Sequence, residues 1–306
     1  MLQYTIRRLL VAIPSILGVL IIVFAMVRLA PGDPAVLLAG EFADAETVER
    51  MRERFGLNER IEVQFVRFLG GVVQGDLGRS TRTNRLVTDD LRQFFPNTLE
   101  LALAAIIFAL IFGIGLGVAA ALYRNTWIDA FAMILALIGV SMPVFWFGLL
   151  AILYFSVDLG WFPVAGRGTF MHLVLPAITL GVSSTGIIAR MTRSSMLEIL
   201  SQDYIRTARA KGSPGRTVVF KHALRNGLIP VITVSGLEFG SLMAGAVITE
   251  TVFTWPGIGR MLVQSILSRD YPSVQGAVLL IAISFIFINL FVDLIYGFVD
   301  PRIRYD

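Results

Sequence analysis

Cysteine is absent from the 306 residues, which excludes disulfides, thiolate nucleophiles and cysteine-ligated metal. Histidine occurs only at His172 and His222, and lysine only at Lys211 and Lys221. Charged residues make up 16% of the chain, against about a quarter in an ordinary soluble domain. This inventory leaves little for catalysis. No HExxH can hold an intramembrane zinc, and no GK[ST] follows a glycine loop to cradle phosphate. Gly139-Val140-Ser141-Met142 is not a GxSxG elbow, and no histidine could reach it from the same depth. No catalytic or metal-binding residue is assigned. If the protein works against a gradient with ATP, another chain must bind the nucleotide.

What is abundant is apolar. The hydrophobic share is 56%, gathered into long runs instead of a strand or surface-helix period. The expectation is an all-α polytopic membrane protein. Six runs approach the ~20 residues a helix needs to cross the hydrocarbon: 9–29, 99–122, 131–157, 173–188, 229–253 and 276–299. The first follows Arg7 and Arg8 as a signal peptide would. It exceeds the roughly 7–15 apolar residues of such a segment, and Arg28-Leu29-Ala30-Pro31 is a poor cleavage site, so it reads as a retained helix. The expected organisation is an N-terminal transmembrane helix (1–29), an extracytoplasmic cap (30–96), a core of spans (97–299) carrying a cytoplasmic loop (190–228), and a cytoplasmic tail (300–306).

Orientation follows from arginine. With the N-terminus in the cytoplasm, inside segments hold Arg7, Arg8, Arg124, the basic loop, Arg302 and Arg304. Short outside loops hold Arg167, Arg260 and Arg269. Within 30–96, Pro31-Gly32-Asp33-Pro34 is a turn, and 44–55 reads as a helix with Asp44 as N-cap and Gly56 beyond its end. Val63, Phe65, Val66, Leu69 and Val72 suggest a second helix. Gly75-Asp76-Leu77-Gly78-Arg79-Ser80 reads as a turn docking the cap on the spans. Gly113, Gly115 and Gly117, and again Gly236, Gly240 and Gly245, are small-residue seams for close helix packing. Pro143 predicts a kink in the third span.

Ionisable groups inside the spans are expensive in hydrocarbon and face a polar interior or a partner. Glu250 and Asp293, near span ends, are read as structural. Glu238, deeper and flanked by Gly236 and Gly240, either bonds a neighbouring helix or lines a polar path. With Ser141 and Asn289 it forms the candidate translocation path.

The polar stretch 201–230 holds both lysines beside Arg206, Arg209, Arg216 and Arg225. Basic residues in loops mark topology and attract lipid headgroups, and no aromatic–basic stripe points to nucleic acid. Ser201 is placed to cap a helix over 202–211, with Gly212 ending it in a left-handed turn. Pro214 and Gly215 break the chain before a second helix over 216–226 that runs into the fifth span. A short helix fixed between two turns can be gripped by a groove in another protein. A lipid-lying helix is the alternative, and the small Ala208, Ala210 and Gly212 argue against it.

Arg206-Thr207-Ala208-Arg209-Ala210-Lys211-Gly212 resembles the EAA loop of ABC importer permeases, in the form found in the dipeptide/oligopeptide/nickel group. PGDP at 31–34, GDLG at 75–78, ARMTRS at 189–194, ETVFTWPG at 250–257, RDYP at 269–272 and DPRIR at 300–304 extend the resemblance along the chain, to the B-type permease of that group. Arg206 stands where the wider family has glutamate, and the distance from Gly212 to Pro230 is longer. The resemblance implies a type I ABC importer permease fold in the inner membrane. It also implies a second, similar permease as heterodimer partner, two cytoplasmic ATPase subunits carrying ATP and magnesium, and an extracytoplasmic solute-binding protein. Arg206, Ala208, Arg209, Lys211 and Gly212 would be the ATPase-coupling residues, with Ala208 and Gly212 packing closely in a cleft and the cations meeting acidic partner groups. Short peptides are the expected cargo. Nickel or its chelates, glutathione, opines and small oligosaccharides fit the same architecture, and an ion-coupled carrier or an assembly scaffold are readings of other classes.

Overall fold

The computed structural model describes residues 2–29, 33–40, 43–54 and 56–299. The turn expected at 31–34 lies partly outside these residues. Phe55 and the tail 300–306 lie wholly outside them, and so do the surroundings of Gly245 and the side chain of Asp293. Among the described residues every regular element is helical. The only β pairing among the described residues is an isolated bridge between Arg79 and Leu86.

The elements are α1 (Leu2–Leu29), α2 (Pro34–Ala39), α3 (Ala45–Arg54), α4 (Ile61–Gln74), α5 (Val87–Leu122), α6 (Trp127–Ser141), α7 (Val144–Ala151, extended by a π-helical segment Ile152–Asp158), α8 (Phe170–Leu200) and α9 (Asp203–Ala210). After α9, α10 (Gly215–Thr217) passes through a π-helical segment (Val218–Ala223) into α11 (Leu224–Val252), followed by α12 (Ile258–Leu267) and α13 (Tyr271–Val299).

Among the described residues, four helices can cross a bilayer by length and composition: Val87–Leu122, Phe170–Leu200, Gly215–Ala244 and Tyr271–Val292. A fifth exists if α6 and α7 count as one broken span. The expected kink at Pro143 is larger than the sequence suggested. The pair bends by 105° at the Met142-Pro143 junction, because proline removes a backbone donor and prevents the preceding residue from continuing the helix. In α1 the apolar stretch is Leu10–Met26, shorter than in the other spans. The second span begins earlier than expected, since α5 is helical from Val87 and carries Pro96 inside it. The helix expected over 216–226 does run on into the fifth span.

The core lies where α5, α8 and α11 meet, around Leu101, Ala105, Ile188, Val231, Met243 and Trp255. Glycine decides how closely these helices approach. A Cβ at Gly117 would lie 2.5 Å from Thr192 Cβ and 2.6 Å from the Ala189 carbonyl. One at Gly113 would meet Ile188 at 2.8 Å. Gly236 and Gly240 do the same against α13, where Val292 and Phe285 fill the space. Gly115 touches nothing, so the seam in α5 uses two of its three expected glycines.

The segment before α5 sits against α1 and α13. Asp44 Oδ1 accepts from Thr47 N at 2.8 Å, the N-cap expected for α3. Phe24 of α1 packs edge-on against Phe65 of α4, with ring centroids 5.2 Å apart. Gly75 ends α4 at φ 75°. The following turn does dock on the spans: Leu77 packs beside Val87, Leu91 and Ala277, and the buried Asp270 accepts from Ser80 Oγ, Thr81 N and Ser273 Oγ.

Candidate functional site

The basic stretch folds as a knob on two long helices. At the end of α8, Ser201 does not cap α9 as expected. Its hydroxyl donates to the Glu198 carbonyl at 2.7 Å, closing off α8, and Gln202 takes the N-cap position of α9. The far end agrees with expectation. Gly212 has φ 77°, Gly212 N donates to Arg209 O at 2.9 Å and Ser213 N to Ala208 O at 3.2 Å. Those two bonds define a Schellman turn, which satisfies the last carbonyls of a helix and needs a left-handed residue at its centre.

One buried side chain anchors the knob. Ile205 is fully covered, packed with Val118, Ala121, Met196, Val218 and Ala223 from α5, α8 and the π-helical segment. That segment turns Val218 and Ala223 inward. The Tyr204 hydroxyl accepts from Asn226 Nδ2 at 2.9 Å, a second tie to α11. Ala208 is half-buried beside Ile205 and packs on this chain, so the small side chain left facing outward is Ala210. Arg206, Arg209, Lys211 and Gly212 are exposed, and Arg216, Lys221 and Arg225 extend the same basic surface. Arg206 has one carboxylate near it on the knob, Asp203 at 3.6 Å, both well exposed. Such a pair in water is worth little, so the cations are available to a partner. The result is a rigid, cationic, solvent-facing helix rooted in the bundle.

The candidate path residues do not form one cluster. Glu238 of α11 is half-buried and accepts from Ser184 Oγ of α8 at 2.6 Å. Asn289 of α13 lies across the opposite face of α11, beside Gly240, and its Oδ1 is buried with no hydrogen-bond partner. Two residues along a helix is about 200° of rotation, which separates Glu238 from the Gly236–Gly240 seam. Ser141 is exposed at the break between α6 and α7.

Two polar constellations escaped the sequence reading. Asp129, at the start of α6, takes a bidentate contact from Arg193 of α8, Nε to Oδ1 at 2.6 Å and Nη2 to Oδ2 at 2.7 Å. Asn125 N adds a bond at 3.0 Å. The signal available was a lone carboxylate opening an apolar helix and an arginine on a helix otherwise rich in small residues. The other constellation surrounds Glu250, which is fully buried. Its carboxylate accepts from Thr98 Oγ1 at 2.6 Å and Arg260 N at 2.9 Å, under Gly257. Nearby, Trp255 Nε1 donates to Asn97 O and Asn97 Nδ2 to Pro256 O. The structural reading of Glu250 fits this geometry, because the 250–260 turn is folded onto α5 by these bonds. Among the described residues no three histidine, aspartate or glutamate side chains converge to hold a metal.

Comparison with known proteins gives a consistent result. Residues 113–305 match the family described as binding-protein-dependent transport system inner membrane component, and residues 1–102 match that family's N-terminal component. The glutathione transport system permease protein GsiC of Salmonella paratyphi A is 48% identical over 305 residues, covering all of both chains. The dipeptide transport system permease protein DppB of Alkalihalophilus pseudofirmus is 45% identical over 333 residues, again covering both completely. Among solved structures, an inward-facing form of the MetNI methionine ABC transporter aligns with TM-score 0.59 at 22% identity, over 69% of this chain and 96% of that one. This last likeness shows the fold.

Proposed function

The chain belongs to the binding-protein-dependent transport system inner membrane component family, and on that basis we propose that it forms half of the translocation pathway of an ATP-driven importer of short peptides. The observation that carries this reading is the knob, a rigid basic helix facing solvent and rooted by Ile205 between α8 and α11. The other half is a second, similar permease. Two ATPase subunits with ATP and magnesium sit under the knobs, and a solute-binding protein delivers cargo at the opposite face. In this reading α1 is a sixth span, both termini are cytoplasmic, and 30–96 caps the extracytoplasmic side of a type I permease.

The mechanism follows from rigidity. At 1.5 Å per residue, α8 is about 46 Å long, longer than the ~30 Å hydrocarbon core, so its last turns project as a lever. ATP-driven closure of the ATPases displaces the knob, and the displacement tilts α8 and α11 together because Ile205 and Tyr204 join them. Two packings of the bundle are then biased from both ends, by nucleotide below and by the loaded binding protein above.

Relatives named for glutathione and for dipeptides, at 45–48% identity over the full chain, support a short-peptide cargo, with glutathione, itself a tripeptide, included in that class. An ion-coupled carrier is set aside by the family. The test is reconstitution of the complete complex in liposomes with each peptide-loaded binding protein. ATP-dependent, vanadate-sensitive accumulation of a dipeptide or of glutathione is expected. Accumulation by this chain alone on an ion gradient would overturn the reading.

A further inference from the structure

α6 meets α8 along a close-packed seam. A Cβ at Gly186 would lie 2.3 Å from the Ala136 carbonyl, and one at Gly139 would lie 2.9 Å from the Val182 carbonyl. Small residues bring the two backbones close, and Val140 Cγ2 of α6 reaches over Gly186, but such apolar contacts carry no directional bond that fixes rotation or sliding. One device near the base of the seam does. Asp129 sits in the first turn of α6 and is only 7% exposed at its side chain, while Arg193 is 27% exposed. Their two parallel bonds fix a distance and an angle at once, which a single contact cannot do. Asn125 N, in a left-handed turn at φ 62°, holds the carboxylate from the other side.

The position of the pair is informative. Arg193 lies seven residues before the end of α8, about 10 Å along the axis from the knob. At its far end α6 breaks by 105° into α7. There Gly148 packs against Thr179 of α8 and against Val252 and Phe253 at the end of α11. A displacement of the knob reaches α7 through these direct contacts and α6 through the seam, and the broken segment moves as one body only if α6 cannot slip on α8. A partly buried ion pair is often no more stabilising than apolar side chains of equal volume, whereas it does set register.

We propose that Asp129 and Arg193 are positioning residues for coupling: the bidentate pair is a strut that makes α6, and through it the broken segment α6–α7, follow α8 when the knob moves. The proposal rests on the importer reading above. The measurement is solute imported per ATP hydrolysed, in the complete reconstituted complex, for the wild type, Asp129→Asn, Arg193→Gln and the double variant. Each single variant should lower the ratio by roughly two- to thirtyfold, the range of coupling changes along such networks. The double variant should fall no further than the worse single one. A role confined to stability would lower the amount of complex and leave the ratio unchanged.

The cysteine-free chain allows a second measurement that does not depend on how well those variants fold. In Asp129→Cys/Arg193→Cys, a short bis-maleimide bridging the two thiols should raise the ratio above that of the same protein capped singly with N-ethylmaleimide. Equal ratios for bridged and capped protein, or wild-type ratios in all three substitution variants, would overturn the strut. A wild-type complex that imports without ATP would instead overturn the importer reading.

Discussion

Gly212→Val separates knob geometry from knob chemistry, because it changes no charge. The residue has φ 77°, and a Cβ built there meets no atom within 4 Å. The penalty is therefore conformational and not steric. A left-handed backbone costs an L-residue roughly 1–2 kcal/mol, with the β-branched valine at the upper end. At 1.4 kcal/mol per tenfold, that shifts the balance between the Schellman turn and its alternatives by roughly five- to thirtyfold. The strain falls on the bonds from Gly212 N to Arg209 O and from Ser213 N to Ala208 O, which set how the chain enters Pro214 and α10. Ile205 stays buried, so assembly and melting temperature should change little. What changes is the shape presented to the ATPase. In reconstituted complex, ATP hydrolysis should continue while import per ATP falls severalfold. Gly212→Asn, which tolerates the left-handed region, should sit near wild type, and Gly212→Ala between the two. Wild-type coupling in the valine variant, or asparagine as damaging as valine, would refute the argument.

Three further outcomes are expected. Gly117→Ala forces its Cβ against the Ala189 carbonyl and Thr192 at about 2.5 Å, so α5 and α8 must separate; a loss of ~1–3 kcal/mol should appear as a lower melting temperature in detergent. Glu250→Ala removes the acceptor of the buried Thr98 Oγ1, worth ~1–3 kcal/mol when orphaned, and of the partly buried Arg260 N, whereas Glu250→Gln keeps an acceptor oxygen and should lose less in the same assay. The Ala35 N–H, with Arg52 beside it, holds the Asp33 carboxyl below its ordinary pKa, and the Thr47 hydroxyl and N–H do the same for Asp44. A depressed carboxylate stabilises above its unfolded pKa, near 4, and that contribution is lost as pH falls through the lower folded value. Proteolysis within 33–54 should therefore accelerate below about pH 4 and show no such change between pH 6 and 8.

Local patterns carried much of this protein. Apolar run length identified the long helices because crossing hydrocarbon is a one-dimensional constraint that any window of sequence reports. Gly212 and Asp44 were legible because a left-handed turn and an N-cap are satisfied within four residues of chain. The same holds for α4, with its apolar positions at helical spacing. Where the local rule had two solutions, the choice depended on what lay nearby in space. Ser201 could cap α9 or close α8, and it closes α8 by bonding the Glu198 carbonyl, in the register that lets Ile205 of α9 bury against α5, α8 and the π-helical segment. Pro143 could kink or break a helix, and it breaks one where α7 finds α8 and the end of α11 to pack on.

The remaining features belong to tertiary structure. Membership in a helical, membrane-embedded class, and the presence of a cationic segment between two spans, were determined by composition and order alone, since both are sums over neighbouring residues. Which partner each intramembrane polar group found was decided only on folding. Asp129 met Arg193 across 64 positions, Glu250 met Thr98 across 152, and Glu238 turned to Ser184 and away from Asn289. A polar group in an apolar bundle must be satisfied by whatever faces it, and what faces it is set by helix rotation and crossing, which no single stretch of chain encodes.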